Sequence, residues 1–521
     1  MEQQIKSIVI VGGGTAGWLT AAILAADHNV DQGQLLSPTA LNITLVESPD
    51  VATIGVGEGT WPSMRHTLQH IGISETEFIN SCDASFKQGS QFNNWCTNSA
   101  DTYLHPFSLP VGIPDFNICP YWLPFLQQVS FADAVNAQAR LSLAGLAPKQ
   151  ISTAEYSFIN NYGYHLDAGK FSNLLQQHAT SKLGVQHVKA HIAQIRNTVT
   201  GNIDAIITTD GRALHADLFI DCSGAASMLL GQHLAVPFIQ QKQVLFNDSA
   251  LAVQLPYPQA DAAIASCTQS TAQPNGWVWD IGLQSRRGVG HVYSSAHCSD
   301  DQAEQQLRHY LQQSGAENTE LLTLRKLSFN PGHYARCWQK NCVAIGMAAG
   351  FIEPLEASAL ALVEWSAKYV SAQLPLPNSL LSIAADRMNQ AFNQHWQQII
   401  EFLKLHYVLS KRRDHDYWHD HRESSSIPPR LQHLLQFWQH KVPSNQDITH
   451  SDVLFPAASY QYILYGMGFE TQQSAPLKPS QQKKAQALFE ENIKRVQQLA
   501  AALPPNRQLL DKIRQYGLPP I

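Results

Sequence analysis

The first apolar run of the chain shapes most of its reading. Residues 7–26, SIVIVGGGTAGWLTAAILAA, are nearly all apolar and follow Lys6. Such a run after a basic residue fits a signal peptide or a membrane anchor. Three consecutive glycines stand in its middle, and each costs about 1 kcal/mol relative to alanine inside a helix. No A-x-A-like cleavage site precedes a plausible mature start. The pattern instead predicts a buried strand over 7–11, a glycine turn, and a buried helix over 15–26. A second β-branched run, NITLV at 42–46, closes at Glu47 and predicts a second strand, with 27–41 as an irregular insert. Together these make a βαβ unit. No other stretch is long enough to span a bilayer.

Farther along, Ser74 and Glu77 mark a capping box, residues 85–95 read as a strand carrying Lys87, and 165–179 read as a helix. Residues 100–160 are rich in proline and aromatics, with weak periodicity, and predict loops and short helices over a pocket. The pairs Gly201-Asn202 and Asp210-Gly211 punctuate an antiparallel ribbon within 188–220. Strands are expected over 216–220, 250–254, 277–283 and 341–345. From residue 358 onward the pattern is mainly helical and ends in an amphipathic helix over 480–503.

Composition narrows the function classes. At 44% hydrophobic and 15% charged, the 521 residues lack the signature of a disordered chain. The net charge of −6 leaves no basic footprint for nucleic acid. Eight cysteines without a CxxC pair fit reduced thiols in a cytoplasmic protein better than a zinc site. His415, His419 and His421 invite a metal reading, but no HExxH accompanies them, and no metal is expected.

The chemistry begins at Gly12-x-Gly14-x-x-Gly17, between the first strand and its helix. The first glycine permits the tight turn, the second lets backbone approach a pyrophosphate, and the third lets helix and strand pack closely. The helix N-terminus adds unpaired N–H groups and a positive dipole end. Glu47, closing the second strand, can bind an adenosine ribose. Its distance from the glycines exceeds the usual spacing of about twenty residues, so the insert must loop out. Later strand-to-glycine turns, at Asp221-Cys222-Ser223-Gly224 and Gly346-Met347-Ala348-Ala349-Gly350, suggest a flavoprotein of the two-dinucleotide-binding-domain type.

At these residues the chain resembles the flavin-dependent halogenases, in the tryptophan halogenase branch. Gly12-Gly13-Gly14-Thr15-Ala16-Gly17-Trp18 is similar to that family's GxGxxGW turn. Gly55-Val56-Gly57-Glu58-Gly59-Thr60 resembles its flavin-side strap loop, and Ser85-Phe86-Lys87 with Phe92-Asn93-Asn94-Trp95 resembles the segment of its lysine. Tyr164-His165-Leu166-Asp167-Ala168 resembles another signature, and Trp277-Val278-Trp279-Asp280-Ile281-Gly282 is similar to the family's WxWxIP motif. The most specific match is Asn341 to Gly346 followed by Gly350-Phe351-Ile352-Glu353-Pro354-Leu355-Glu356. Three residues depart from the pattern: Gly282 stands for proline, Ala357 for serine, and Ala359 for glycine.

The resemblance implies an α/β fold: an FAD-binding, Rossmann-like module with mixed sheets over 1–370, holding a substrate-pocket insertion at about 96–160. A mainly helical substrate module would follow over 371–521. The implied flavin site takes in Gly12, Gly14, Thr15, Ala16, Gly17, Glu47, Gly57, Glu58, Val188, Gly346 and Leu355. Reduced FAD (FADH2) and O2 would give a flavin hydroperoxide that oxidises chloride or bromide to hypohalous acid. Backbone amides at Ser358 and Ala359 would hold the halide. Lys87 would activate the oxidant, by hydrogen bonding as a cation or as a haloamine, and Glu356 would take the ring proton, with Glu353 as the alternative carboxylate. Trp277 and Trp279 would keep the organic substrate from the flavin, and His105 and Phe107 would sandwich an indole-like ring. The implied partners are a small aromatic substrate and a separate NAD(P)H-dependent flavin reductase, with no nucleic acid and no membrane. A homodimer is the assembly it suggests.

Two other readings compete. A single-component flavin hydroxylase would bind NAD(P)H and usually carries a Gly-Asp pair at the late turn, where this chain has Gly346-Met347. A non-catalytic flavin-binding protein has no need of both Lys87 and Glu356.

Overall fold

The computed structural model describes residues 4–38, 40–50, 57–448, 453–472 and 477–521. The chain forms two compact units. The first comprises Met1–Ala84, Leu166–Gln241 and Phe329–Trp396, and the second Ser85–His165, Lys242–Ser328 and Gln397–Ile521. The expected boundary at 370 therefore falls inside the first unit, within the helix Ala359–Gln373. The reason lies in the sheet of that unit, which draws strands from widely separated parts of the chain.

That sheet has six strands, in the order Gln186–Lys189, Asn42–Glu47, Ser7–Val11, Leu218–Asp221, Cys342–Ala344 and Trp338–Gln339. The first five pair in parallel and the last is antiparallel. Ile10 sits between Leu45 and Ile220 in register. Its central strands read as unbroken apolar runs because both faces are covered. On one face Val9, Val11, Val46 and Phe219 meet Ile203 and Ile206 of a three-stranded ribbon, Ile192–Asn197, Ile203–Thr208 and Ala213–His215. Asn341 ties ribbon to sheet, accepting from the Ile203 N–H at 2.9 Å and donating to its carbonyl at 2.9 Å. The helix Thr15–Asn29 packs with Ala168–Lys182 and Ala359–Gln373.

Several boundaries differ from the sequence expectation. The first helix runs on to Asn29, whose amide clamps both the N–H and the C=O of Leu41 and so closes the insert. The segment expected as a helix from 165 is first a strand, Gly163–Asp167. The helix Ala168–Lys182 starts only after Asp167, which caps it by accepting from the Lys170 N–H at 3.0 Å. Ser74 accepts from the Glu77 N–H at 3.1 Å, half of the expected capping box. The expected strand over 85–95 is two strands in different sheets, Ser85–Lys87 and Gly89–Asn93. The break falls where Gly89 passes so close to the next strand that a Cβ there would lie 2.3 Å from the His105 carbonyl.

The second unit is built on a seven-stranded sheet, in the order Arg325–Ser328, Ser249–Pro256, Arg286–Tyr293, Gly276–Gly282, Thr268–Gln273, Gly89–Asn93 and Thr102–Pro106. All its pairs are antiparallel except Thr268–Gln273 with Gly89–Asn93. The helix Asp300–Gln313 covers one face, burying Ala303, Leu307 and Leu311 against Leu251, Val278 and Val289. A second core gathers Trp122, Phe131, Tyr462 and Tyr465 from the short helices and from Ala457–Gly466.

Trp279 shows how tightly the sheet is packed. A Cβ on Gly290, its neighbour across the strands, would lie 2.2 Å from the Trp279 ring and 2.8 Å from the Leu251 carbonyl. Gly290→Ala should therefore lower stability by about 1–3 kcal/mol, as overpacked cores do. A urea melt of the variant against the parent measures this; an unchanged midpoint would contradict the packing described.

Candidate active site

Three turns gather where the parallel strands of the first unit end: Gly12 to Gly14 after Ser7–Val11, Cys222 to Gly224 after Leu218–Asp221, and Gly346-Met347 after Cys342–Ala344. This is the carboxyl edge of the sheet, where open α/β folds bind ligands. The turns line a cavity of about 580 Å³. Gly12 takes φ +116°, and a Cβ on it would lie 2.1 Å from the Cys222 carbonyl. A Cβ on Gly17 would lie 1.9 Å from the Gly12 carbonyl. Gly14 differs, because a Cβ there meets nothing within 4 Å. It opens into the cavity beside Thr15 and Ala16, and it precedes Thr15–Asn29 without any side-chain cap. An approachable backbone and an uncapped helix start together fit a bound pyrophosphate.

Glu47 lines the same cavity at the end of its strand. Its Oε1 accepts from His187 Nε2 at 2.8 Å, while Oε2 lies over Gly13, where a Cβ would approach it to 1.5 Å. Glu58 also lines the cavity. Its Oε2 is buried without a hydrogen-bond partner among the described residues. Burial, helped by the charge of Asp167, raises its carboxyl to about 7. Gly57 opens the short strand Gly57–Gly59 beside it, whereas Gly55 and Val56 of the expected strap lie outside the described residues. Val188 does not line the cavity. It pairs with Val46 and packs into the cluster of Val9 and Phe219, and Ala190, His191 and Ile192 form the wall instead.

On the far wall the segment before Ala359–Gln373 has an unusual backbone. Glu356 and Ala357 take φ +67° and +55°, consecutive non-glycine residues in the left-handed region. Each such residue costs of order 1–3 kcal/mol and persists only where its surroundings hold it. Here the Trp61 indole N–H donates to the Glu356 carbonyl at 2.8 Å. Ser358 and Ala359 follow, line the cavity and begin the helix without a side-chain cap. Glu353 and Gly346 also line it, and Leu355 is buried behind the wall.

In the second unit Lys87 ends the strand Ser85–Lys87 and is 1% exposed. Its Nζ stands 5.3 Å from the Phe107 ring centroid, in cation–π range. His165 pairs with Ser85 on the adjacent strand. Burial first, and the charge of Lys87 second, push its pKa well below the usual value, and its Nε2 meets Thr268 Oγ1 at 2.8 Å. His105 Nε2 lies 3.0 Å from Ser459 Oγ, with the Tyr462 ring centroid 6.1 Å away. Trp277 and Trp279 share one face of their strand at 6.5 Å, and Trp95 extends the row at 6.4 Å from Trp277. His165 and Trp95 stand in segments the resemblance had marked, but Ser459 is a contribution that no motif spacing could have assigned, because it reaches His105 from a distant helix. His415 and His421 go separate ways: His415 bonds Asn275, while His421 stacks between Phe246 and Tyr407. Among the described residues no cluster of three His, Cys, Asp or Glu could hold a metal ion, and no helix is long and apolar enough to cross a membrane.

The fold and the cavity define an enzyme of the flavin-binding, Rossmann-like class. The chain belongs to the tryptophan halogenase family, whose profile matches residues 7–483. It is similar to the 7-chloro-L-tryptophan 6-halogenase KtzR of a Kutzneria species, with 31% identity over 97% of this chain and 99% of that protein. A crystal structure of a tryptophan halogenase from Shewanella frigidimarina superposes with a TM-score of 0.98, at 59% identity over the whole of both chains. The tryptophan C-6 flavin-dependent halogenase Tar14 matches with a TM-score of 0.89, at 30% identity over 98% of this chain and 100% of its own. This chain is thus a flavin-dependent halogenase, with a flavin, a halide and a small aromatic substrate as its reactants.

Two outcomes follow from the geometry. Gly14→Val should leave the melting temperature of the flavin-free protein nearly unchanged, since its side chain enters open space, yet abolish FAD binding in a fluorescence titration. Undiminished FAD binding would refute the placement of the pyrophosphate. Glu58 is stabilised as the neutral acid, so its contribution to stability is present below about 4.5 and is lost as pH rises through about 7. Melting of Glu58→Gln against the parent across pH 4–8 should show the variant gaining, by an amount on the order of 2–3 kcal/mol at the top of the range. A pH-independent difference would contradict the buried acid.

Proposed function

We propose that this enzyme uses reduced FAD and O2 to oxidise chloride or bromide to hypohalous acid, and halogenates an indole or tryptophan-like ring. The observation that carries the reading is the left-handed turn at Glu356-Ala357, which leads uncapped amides at Ser358 and Ala359 into the cavity of the glycine turn. The residues present suit FAD: an open Gly14, an uncapped helix start and a carboxylate at Glu47 fit its pyrophosphate and its adenosine ribose. Thr15, Ala16, Gly346 and Glu58 would line the rest of its bed. Bound and reduced, FAD supplies with O2 the oxidising equivalents that convert halide to hypohalous acid.

The amides of Ser358 and Ala359 would hold the halide, an anion at the positive end of a helix. Lys87 would receive hypohalous acid and direct its halogen to the ring. As a cation it would do so by hydrogen bonding, and as an amine through an N–halogen bond. The ring loses a proton when the halogen replaces it, and Glu356 is the base for that proton. His105 and Phe107 would present aromatic faces to the substrate. Trp277 and Trp279 would fill space that the substrate must not enter. The relatives KtzR and Tar14, which bear the names of tryptophan halogenases, support an indole-bearing substrate. A separate NAD(P)H-dependent reductase would deliver the reduced flavin, and a homodimer is the proposed assembly.

The test is a mass-spectrometric assay with FAD, a flavin reductase, NADH, air, and indole or tryptophan, with chloride and bromide supplied separately. A product with a halogen isotope pattern is expected from the parent. Lys87→Ala should lose that product entirely while binding FAD as tightly as the parent. Product from the variant would remove Lys87 from the mechanism, and oxygen insertion by the parent would replace the halogenase reading with a hydroxylase.

A further inference from the structure

Glu47 does not stand alone at the edge of the cavity. Its Oε1 meets His187 Nε2 at 2.8 Å, and His187 Nδ1 meets Gln176 Nε2 at 3.2 Å. An amide nitrogen can only donate, so Nδ1 accepts and the ring proton sits on Nε2. Nε2–H therefore donates to Glu47. The ring's plane is held from the side by Trp18, buried in the helix Thr15–Asn29, at 5.0 Å and nearly edge-on. The scaffold of this relay is the sheet itself: His187 is in register with Leu45, two residues before Glu47. Both side chains of the pair are largely shielded from water.

One carboxylate oxygen is thus occupied and oriented, which fixes the other. Oε2 lies over Gly13, in space that any Cβ there would occupy. Gly13 is an unconstrained position in the GxGxxG spacing, so its identity has a local cause: it clears room for the Glu47 side chain, from Cβ to this oxygen. Gly13 and Glu47 both line the cavity, beside the turn that would bind the pyrophosphate.

We infer that Gln176 and His187 are positioning residues that lock Glu47, so that its free oxygen accepts from the ribose hydroxyls of the adenosine half of the flavin dinucleotide. The relay makes the adenosine half a source of affinity. It thereby selects a dinucleotide over a mononucleotide flavin, which has no such ribose. The inference rests on the flavin reading given above. Trp18 and Gly13 serve the same end, one by seating the imidazole and the other by making way for the carboxylate.

The test compares FAD affinity, by flavin fluorescence, with the affinity for ADP measured by competition. ADP carries the adenosine ribose without the flavin. His187→Phe keeps a ring against Trp18 but removes the donor. It should weaken FAD and ADP by the same factor, about five- to tenfold, the worth of one such hydrogen bond. His187→Gln, whose amide nitrogen reaches about as far as Nε2, should restore most of the loss for both ligands. Gly13→Ala, whose Cβ would meet Glu47 at Oε2, Cδ and Cβ, displaces the carboxylate itself and should reproduce the loss if His187→Phe proves unstable. Unchanged FAD affinity in His187→Phe and in Gly13→Ala would overturn the inference. So would a loss confined to FAD with ADP unaffected, or a failure of His187→Gln to rescue a well-folded protein. A parent protein that binds neither FAD nor ADP would instead overturn the flavin reading itself.

Discussion

The close approach of backbone to backbone at the end of the first strand is the constraint on which the flavin-binding unit depends. The helix Thr15–Asn29 can leave the strand Ser7–Val11 only if Gly17 lies against the Gly12 carbonyl and Gly12 against the Cys222 carbonyl. No side chain fits at either place. That contact sets where the helix begins, and so where its uncapped N–H groups face the cavity. It also couples the first turn to the turn after Leu218–Asp221, a strand that joins the sheet from more than two hundred residues away. Asp221 secures that second turn from within, its carboxylate accepting from the N–H groups of Leu229 and Leu230 at 2.7 and 2.9 Å. A fold of this kind tolerates long insertions between strands, because each strand needs only its neighbours and its turn.

The opposite wall works by strain rather than by clearance. Two consecutive residues at Glu356 and Ala357 hold a backbone that side chains disfavour, and the Trp61 indole pins the first of them by its carbonyl. The turn delivers Ser358 and Ala359 to the cavity at the start of a helix. In this way the wall turns main-chain groups at an uncapped helix start, which carry no net charge and cannot titrate, toward the cavity. In the second unit the logic is desolvation. Lys87 is buried against the Phe107 ring, and burial first, with the charge of Lys87 second, pushes the His165 imidazole pKa well down.

Much of this was legible in the chain. Local apolar periodicity sufficed for the strand Ser7–Val11, the glycine turn and its helix, because strand, turn and helix are all short-range and their residues are contiguous. The ribbon turns at Gly201 and Gly211 could be read for the same reason. The resemblance named Ser358 and Ala359, both of which line the cavity, and Val188, which does not. Val188 lies inside its strand and packs under the ribbon, whereas the cavity lies at the carboxyl edge, where Ala190, His191 and Ile192 follow that strand. The helix expected from 165 failed at its start because Gly163–Asp167 is recruited as a strand by Ser85–Lys87, a pairing across nearly eighty residues.

The sequence by itself determined the βαβ start, the positions of the turn glycines and the chemical identities of the groups that can react. Those depend on local sterics and on side-chain type, which travel with the residue. Only the tertiary structure decided what those groups face. It set the His187 ring against Glu47, put an oxygen over Gly13, pinned the Glu356 carbonyl with Trp61 and brought the Phe107 ring over Lys87. Each of these contacts joins elements far apart in the chain. It exists because sheet register and helix packing bring them within hydrogen-bonding or van der Waals reach, a distance that no spacing along the sequence encodes.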